Sequence, residues 1–121
     1  MEICAEITPE TIGKGTATSE QARDLAQNLG KNNDDAGHAI GKNLGGLGGA
    51  TSGNIFPQNL SMNRGEYSQF EQKVVDYINT TGKSVEIKVT PKYTGGSTRP
   101  FEIDYTTTID GVTTTTTFAN P

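Results

Sequence analysis

The chain reads as an α+β fold, a helical middle followed by an antiparallel β-meander, on three observations. Tyr67, Phe70, Val74, Tyr77 and Ile78 recur at helical spacing and make one apolar stripe. Val85, Ile87 and Val89 alternate with Glu86 and Lys88, as Phe101, Ile103 and Tyr105 do with Glu102 and Asp104. Asp110-Gly111 is a strong hairpin-turn signal.

Taken in order, residues 2–8 alternate loosely and predict a short strand. Pro9 to Ser19, rich in glycine and threonine, predicts a loop. Ser19 and Glu20 open a helix through about Leu29, with Ala22, Leu25, Ala26 and Leu29 at helical spacing and Gly30 as its stop. Residues 30–53 are crowded with glycine and carry Asp34-Asp35 and the sole histidine. With Ile40 and Leu44 almost alone as bulky apolar residues, this stretch builds no core of its own. It is either a linker or a loop shaped by something else. Asn54-Ile55-Phe56-Pro57-Gln58 predicts a short strand ended by proline. The main helix starts at Ser61 or Asn63 as cap and runs to about Thr81, with Gly82 as its stop. Glu71 falls inside its apolar stripe, where a carboxylate is out of place. Three strands follow over about 84–118, the last threonine-rich; a low-complexity tail is the other reading of the threonine run.

The 121 residues and 12.9 kDa fit one domain, 1–121. Only 31% of residues are apolar, so the core is small. No apolar run approaches the roughly 20 residues of a membrane span. Met1-Glu2-Ile3-Cys4-Ala5 shows no basic or long apolar segment, so no signal peptide is expected. One cysteine, Cys4, excludes an internal disulfide and a thiolate zinc cluster; it reads as a small buried residue. A single histidine excludes a multi-histidine metal site. The net charge of −4 argues against holding nucleic acid by bulk charge alone. Gly13-Lys14 hints at a phosphate loop, but Thr8 stands where the Walker pattern needs glycine.

Within 38 residues the chain gathers a base, amides, an arginine and the misplaced carboxylate: Asp34-Asp35-Ala36-Gly37-His38, Asn54 to Asn59, Asn63-Arg64-Gly65, and Glu71. An imidazole can take a proton from water near neutral pH. Gly37 lets a bulky ligand approach the backbone. Asn63, at the predicted helix start, offers an amide oxygen, a hard ligand of the kind Mg²⁺ takes. Glu71, two turns on, can orient one of the waters of such an ion. Arg64 brings a forked donor for a phosphate oxygen. Base, hydrated cation and arginine are what phosphodiester hydrolysis requires.

The order and spacing of Asp35-Ala36-Gly37-His38, Ile40, Leu44-Gly45-Gly46, Asn54-Ile55-Phe56-Pro57-Gln58-Asn59, Asn63-Arg64-Gly65-Glu66-Tyr67 and Glu71 resemble the DNA/RNA non-specific endonuclease family. The likeness covers about residues 23–105 and is nearest the short toxin domains at the C-termini of bacterial polymorphic toxins. It implies a ββα-metal (His-Me finger) core over about 34–81, with the histidine on the first strand and the Asn-x-x-Pro-Gln block on the second. It further implies His38 as general base and Asn63 as direct Mg²⁺ (or Mn²⁺) ligand. Glu71 would contact a water of the cation, Asn54 would hold the hairpin, and Asp35 would orient the strand or the histidine. The products are expected to carry a 5′-phosphate, from DNA and also RNA. The resemblance also implies a secreted or delivered effector, part of a larger bacterial toxin acting in the target cytoplasm, with a cognate immunity protein.

Ala36 departs from the arginine of the secreted branch, so phosphate contacts are assigned to Arg64, Arg99, Arg23 and Lys42. Plainer readings stand beside these: His38 bonding a loop carbonyl, Asn63 as a cap, Glu71 pairing with Lys73 or Arg64, Asp34 solvated, and Arg64 and Arg99 as surface charges. The alternative function is a catalytically silent module on the same scaffold, binding nucleic acid or a partner protein.

Overall fold

The computed structural model describes residues 2–121; Met1, part of the start read as signal-free, lies outside them. β4 (Val85–Lys92), β5 (Glu102–Ile109) and β6 (Val112–Ala119) form the meander, each antiparallel to the next. Asp110 (φ 51°) and Gly111 (φ 78°) both take left-handed backbone, as a tight primed hairpin turn demands. The threonine run is therefore strand. Thr106 and Thr108 of β5 meet Thr115 and Thr113 of β6 through hydroxyl hydrogen bonds of 2.9 and 3.0 Å.

The sequence pattern gives the N-terminal strand no partner. β1 (Ile3–Ile7) pairs antiparallel with β4, Ile3 opposite Val89 and Ile7 opposite Val85, so the sheet order is β1-β4-β5-β6. This register turns Ile7 inward and leaves Cys4 exposed, opposite Lys88, correcting the reading of Cys4 as buried. The inward residues Val85, Ile87, Val89, Ile103, Tyr105 and Phe118 are buried against the main helix. There Tyr67 and Phe70 meet the ring of Tyr105 edge to face, at 5.4 and 5.0 Å between centroids.

α1 (Glu20–Leu29) is capped by Ser19, whose hydroxyl accepts from the Ala22 N–H at 3.0 Å, and Gly30 follows its last turn. Its buried Ala22 and Ala26 pack on a second, two-stranded sheet. That sheet pairs β2 (Asp35–His38) with β3 (Ile55–Gln58), His38 opposite Ile55 and Asp35 opposite Gln58. β3 is not ended by its proline. The Ala39 N–H donates to the Asn54 carbonyl, which places Pro57 at a position facing away from β2. Its missing N–H costs no ladder bond there, and its carbonyl accepts from Asn120.

The main helix begins earlier than predicted and is broken once. Asn59 caps α2 (Leu60–Met62), accepting from the Met62 N–H at 3.0 Å. A π-type turn over Asn63–Tyr67 follows, with non-helical backbone at Gly65, and then α3 (Ser68–Thr81) runs to Gly82 (φ 69°). Neither Ser61 nor Asn63 is the cap. Asn63 sits one turn inside, and its N–H is already bonded to the Asn59 carbonyl.

Candidate active site

His38 ends β2 half-buried, and its Nε2 lies 2.8 Å from the Thr16 carbonyl oxygen. A carbonyl only accepts, so Nε2 carries the proton and Nδ1 keeps a lone pair. The plain reading of His38, bonding a loop carbonyl, is thus true of one nitrogen and leaves the other available. Thr16 comes from the loop before α1. It is stitched to the glycine-rich segment by its N–H on the Gly46 carbonyl (3.0 Å) and by its hydroxyl, which accepts from the Gly48 N–H (2.8 Å).

The glycine-rich segment is a shaped loop. Asn54, 7% exposed, accepts from the Ile40 N–H (2.9 Å) and donates to the carbonyls of Ile40 (2.9 Å) and Leu47 (3.1 Å). It touches only backbone, so it positions the loop and stays out of the cleft. The close approach at Gly37 is made by Gln58, not by a ligand: a Cβ there would stand 2.1 Å from the Gln58 side-chain carbon. Gln58 is fully buried, and its amide donates to the His38 carbonyl at 3.2 Å.

Asp35 faces Asn63 and Arg64 rather than the histidine. Its Oδ2 accepts from Asn63 Nδ2 (2.9 Å) and Arg64 Nε (2.9 Å), and its Oδ1 from Arg64 Nη2 (2.8 Å). With Nδ2 committed to a carboxylate, Asn63 Oδ1 is the atom left over. Arg64 spends its Nε–H and one Nη2–H on Asp35, so its fork serves that carboxylate and its remaining N–H groups are left for other acceptors.

Glu71 pairs with neither Lys73 nor Arg64. Its Oε2 accepts from the Gly41 N–H at 2.8 Å and from the Tyr105 hydroxyl at 2.7 Å. Burial pushes its pKa up to about 7, against the opposing pull of those two hydrogen bonds. A Cβ at Gly41 would lie 2.6 Å from Glu71 Oε1, so glycine is required for the carboxylate to sit there. Tyr105 was legible only as an inward sheet residue; that a buried hydroxyl needs a partner, and Glu71 a donor, was the available signal.

One cleft of about 460 Å³ is lined by His38, Lys42, Asn63, Arg64, Ser68 and Glu71, among others. It continues past Arg23 and Asp35, so Arg23 and Lys42 lie exposed along one groove, Arg23 spending one N–H on the Thr18 carbonyl. Arg99 is elsewhere. It grips buried Asp34 with Nε and Nη2 at 2.6 and 2.9 Å and donates to the Asn120 and Pro121 carbonyls at 2.8 Å each. Arg99 is therefore held in a structural network and does not line the cleft. Asp34, 7% exposed, is not solvated. Burial alone would raise its carboxyl; the Arg99 fork and the Lys31 N–H outweigh it and hold the group below the ordinary value of 3.8.

Among the described residues no three His, Cys, Asp or Glu side chains converge as a metal cage. The donors at the cleft are one amide oxygen, Asn63 Oδ1, and the carboxylate of Glu71. That hard-oxygen set fits a cation that keeps most of its waters.

The model of a family described as DNA/RNA non-specific endonuclease matches residues 5–111. A curated relative, "Probable deoxyribonuclease RhsA" of Dickeya dadantii (strain 3937), is 46% identical over 101 residues, 84% of this chain. The chain spans 7% of that relative's length. Among solved structures, that of Sda1 nuclease with bound zinc ion superposes with a TM-score of 0.65 at 26% identity, covering 73% of this chain and 39% of that one.

Proposed function

The chain belongs to the DNA/RNA non-specific endonuclease family, and from that premise we propose that it is a metal-dependent endonuclease, cutting DNA and also RNA to 5′-phosphate products. The observation that carries this reading is the pairing of two free atoms in one cleft: His38 Nδ1, freed by the Thr16 bond, and Asn63 Oδ1, freed by the Asp35 bond. His38 Nδ1 takes a proton from a water, whose oxygen attacks the phosphorus, and the 3′ oxygen departs. The Thr16 carbonyl then bears the share of imidazolium charge that Nε2–H presents to it. Asp35 acts at one remove, holding Asn63 and Arg64. Asn63 Oδ1 and Glu71 would hold a divalent cation, Mg²⁺ or Mn²⁺ by donor hardness, which supplies charge neutralisation at the phosphate and the leaving oxygen. Arg23 and Lys42 flank the groove as the cations not engaged by a carboxylate, suited to the strand's phosphates.

DNA is favoured as the main substrate by the likeness to the Dickeya relative, a probable deoxyribonuclease. The small share of that relative matched by this chain supports a toxin domain carried by a larger delivered protein and acting in the target cytoplasm. A cognate immunity protein is the partner such a domain needs in its producer.

The test is incubation with supercoiled plasmid and with total RNA, in Mg²⁺ and then with chelator, beside His38→Ala. Cleavage is expected to need the cation and to fall roughly 10²–10⁴-fold in His38→Ala, with the circular dichroism spectrum unchanged. A folded wild-type protein that cuts neither substrate refutes the reading and leaves the binding-module alternative.

A further inference from the structure

Asn120 lies beyond the stretch matched by the family, residues 5–111. Yet it is 2% exposed, and every hydrogen-bonding atom of its side chain is spent on the segment that leads to Asn63 or on the approach to β5. Its Oδ1 accepts from the Asn59 N–H at 2.6 Å. Its Nδ2 donates to the carbonyls of Pro57 (3.1 Å) and Pro100 (2.7 Å). Asn59 is the cap of α2, and its carbonyl accepts the N–H of Asn63 at 2.9 Å. The backbone of Asn63 is thus referred to Asn120 through one residue.

The side chain of Asn63 is referred to the same place by a second route. Asn63 Nδ2 is held by Asp35, whose neighbour Asp34 is gripped by Arg99. Arg99 in turn donates to the carbonyls of Asn120 and Pro121. A buried amide whose side-chain oxygen and nitrogen are both bonded to backbone groups, at residues 57–59 and at Pro100, fixes those two segments against its own. We infer that Asn120 is a positioning residue that sets Asn63 Oδ1 for the cation, clamping the β3–α2 junction from the end of the sheet. This rests on the metal-dependent reading above.

The test measures cation binding directly, by titrating Mn²⁺ and following the resonance of the free ion, with kcat and KM measured alongside. The variants are Asn120→Ala and, as a stability-matched control on the neighbouring strand end, Phe118→Leu. At temperatures where each is folded, Asn120→Ala is expected to weaken Mn²⁺ binding about tenfold or more and to lower kcat with little change in KM. Phe118→Leu is expected to lose thermal stability alone. Wild-type protein that binds no Mn²⁺ overturns the metal-dependent reading and the clamp with it. Wild-type binding matched by the Asn120 variant overturns the clamp alone.

If Asn120→Ala does not fold, Asn120→Asp is read in the same way: it keeps the acceptor for Asn59 and loses both donors. The wild-type chain provides a measure free of substitution. Mg²⁺ is expected to slow amide hydrogen exchange at Asn59, and unchanged exchange there counts against the clamp.

Discussion

Along β4 burial alternates residue by residue: Val85, Ile87 and Val89 are buried, and Glu86 and Lys88 are exposed. Along β3 nothing alternates; all of Ile55–Gln58 is buried. The first strand belongs to a sheet held by a repeating pattern, in which each position contributes a little. The second belongs to a hairpin held by single polar contacts, each made once: Asn54 on Ile40, Gln58 on His38, Thr16 on Gly46 and Gly48, Asn120 on Pro57. The candidate site sits on the second kind of structure. A repeating pattern tolerates loss at one position, whereas a set of singular contacts does not.

The comparison is broken most severely at Arg99. Arg99→Leu leaves Asp34 buried and unpaired beside β2, which is expected to cost about 3–5 kcal/mol by chemical denaturation. The pair also makes an acid limb. The folded carboxyl of Asp34 lies below 3.8, so its stabilisation is full above that value and is lost as pH falls through the folded pKa. Melting temperature should therefore drop below about pH 4 in wild type and much less in Arg99→Leu. Breaking the exposed Lys83–Asp110 pair of the β5–β6 turn should leave stability unchanged within error.

Asn54→Ala is the next largest. It strips three hydrogen bonds from a buried amide and leaves backbone groups of Ile40 and Leu47 without partners, at about 2–4 kcal/mol. Cleavage should fall with it, because the loop brings Gly41 to Glu71. A stability loss under about 1 kcal/mol would show that the loop does not depend on this one staple.

These contacts also mark how far the sequence could be read. The meander was visible because period-2 alternation and the Asp110-Gly111 turn are local signals. The ββα-metal core was implied by the family resemblance that the polar blocks carry, and the family match and the superposition on a solved nuclease agree with it. What stayed hidden was non-local. The pairing of β1 with β4 joins residues some 80 positions apart, and loop closure over that span leaves no mark on either strand. The cap at Asn59 was missed in favour of Ser61 or Asn63 because all three are good capping residues, and only the backbone turn between them decides. The Arg99–Asp34 pair was hidden because a forked donor suits a carboxylate as well as a phosphate, and the partner, Asp34, is 65 residues away. Thr16 was beyond reach, since its carbonyl is common to every residue type.

Glu71 gives a smaller effect of opposite sign. Its folded pKa of about 7 lies above the ordinary 4.5, so the folded state prefers the neutral acid. That contribution is complete below about pH 4.5 and is lost as pH rises through 7. Glu71→Gln keeps an oxygen for the Gly41 N–H and the Tyr105 hydroxyl and removes the charge. Without added cation, the variant should be more stable than wild type at pH 8 by of order 1–3 kcal/mol, and equal to it near pH 4. Cleavage should be lost in the same variant. Equal stability at both pH values would mean that the carboxylate is better solvated than its burial implies.

The smallest effect belongs to the sheet and is the sharpest check on the contrast. Thr113 and Thr108 share a 3.0 Å hydrogen bond across β6 and β5, on the exposed outer face. Thr113→Ala removes that bond and part of the β preference of the position. Both hydroxyls can turn to water, so the loss should be about 0.5 kcal/mol, with cleavage unchanged. Thr115→Ala, which breaks the equivalent pair with Thr106, should cost the same, and the double variant the sum of the two. Additivity is what independent repeats of one pattern predict. Asn54→Ala and Asn120→Ala, both acting on the hairpin, should instead cost less together than apart, because the first already loosens what the second would release. Additive losses in the hairpin would mean that its contacts are as independent as those of the sheet, and the distinction between the two regions would fail.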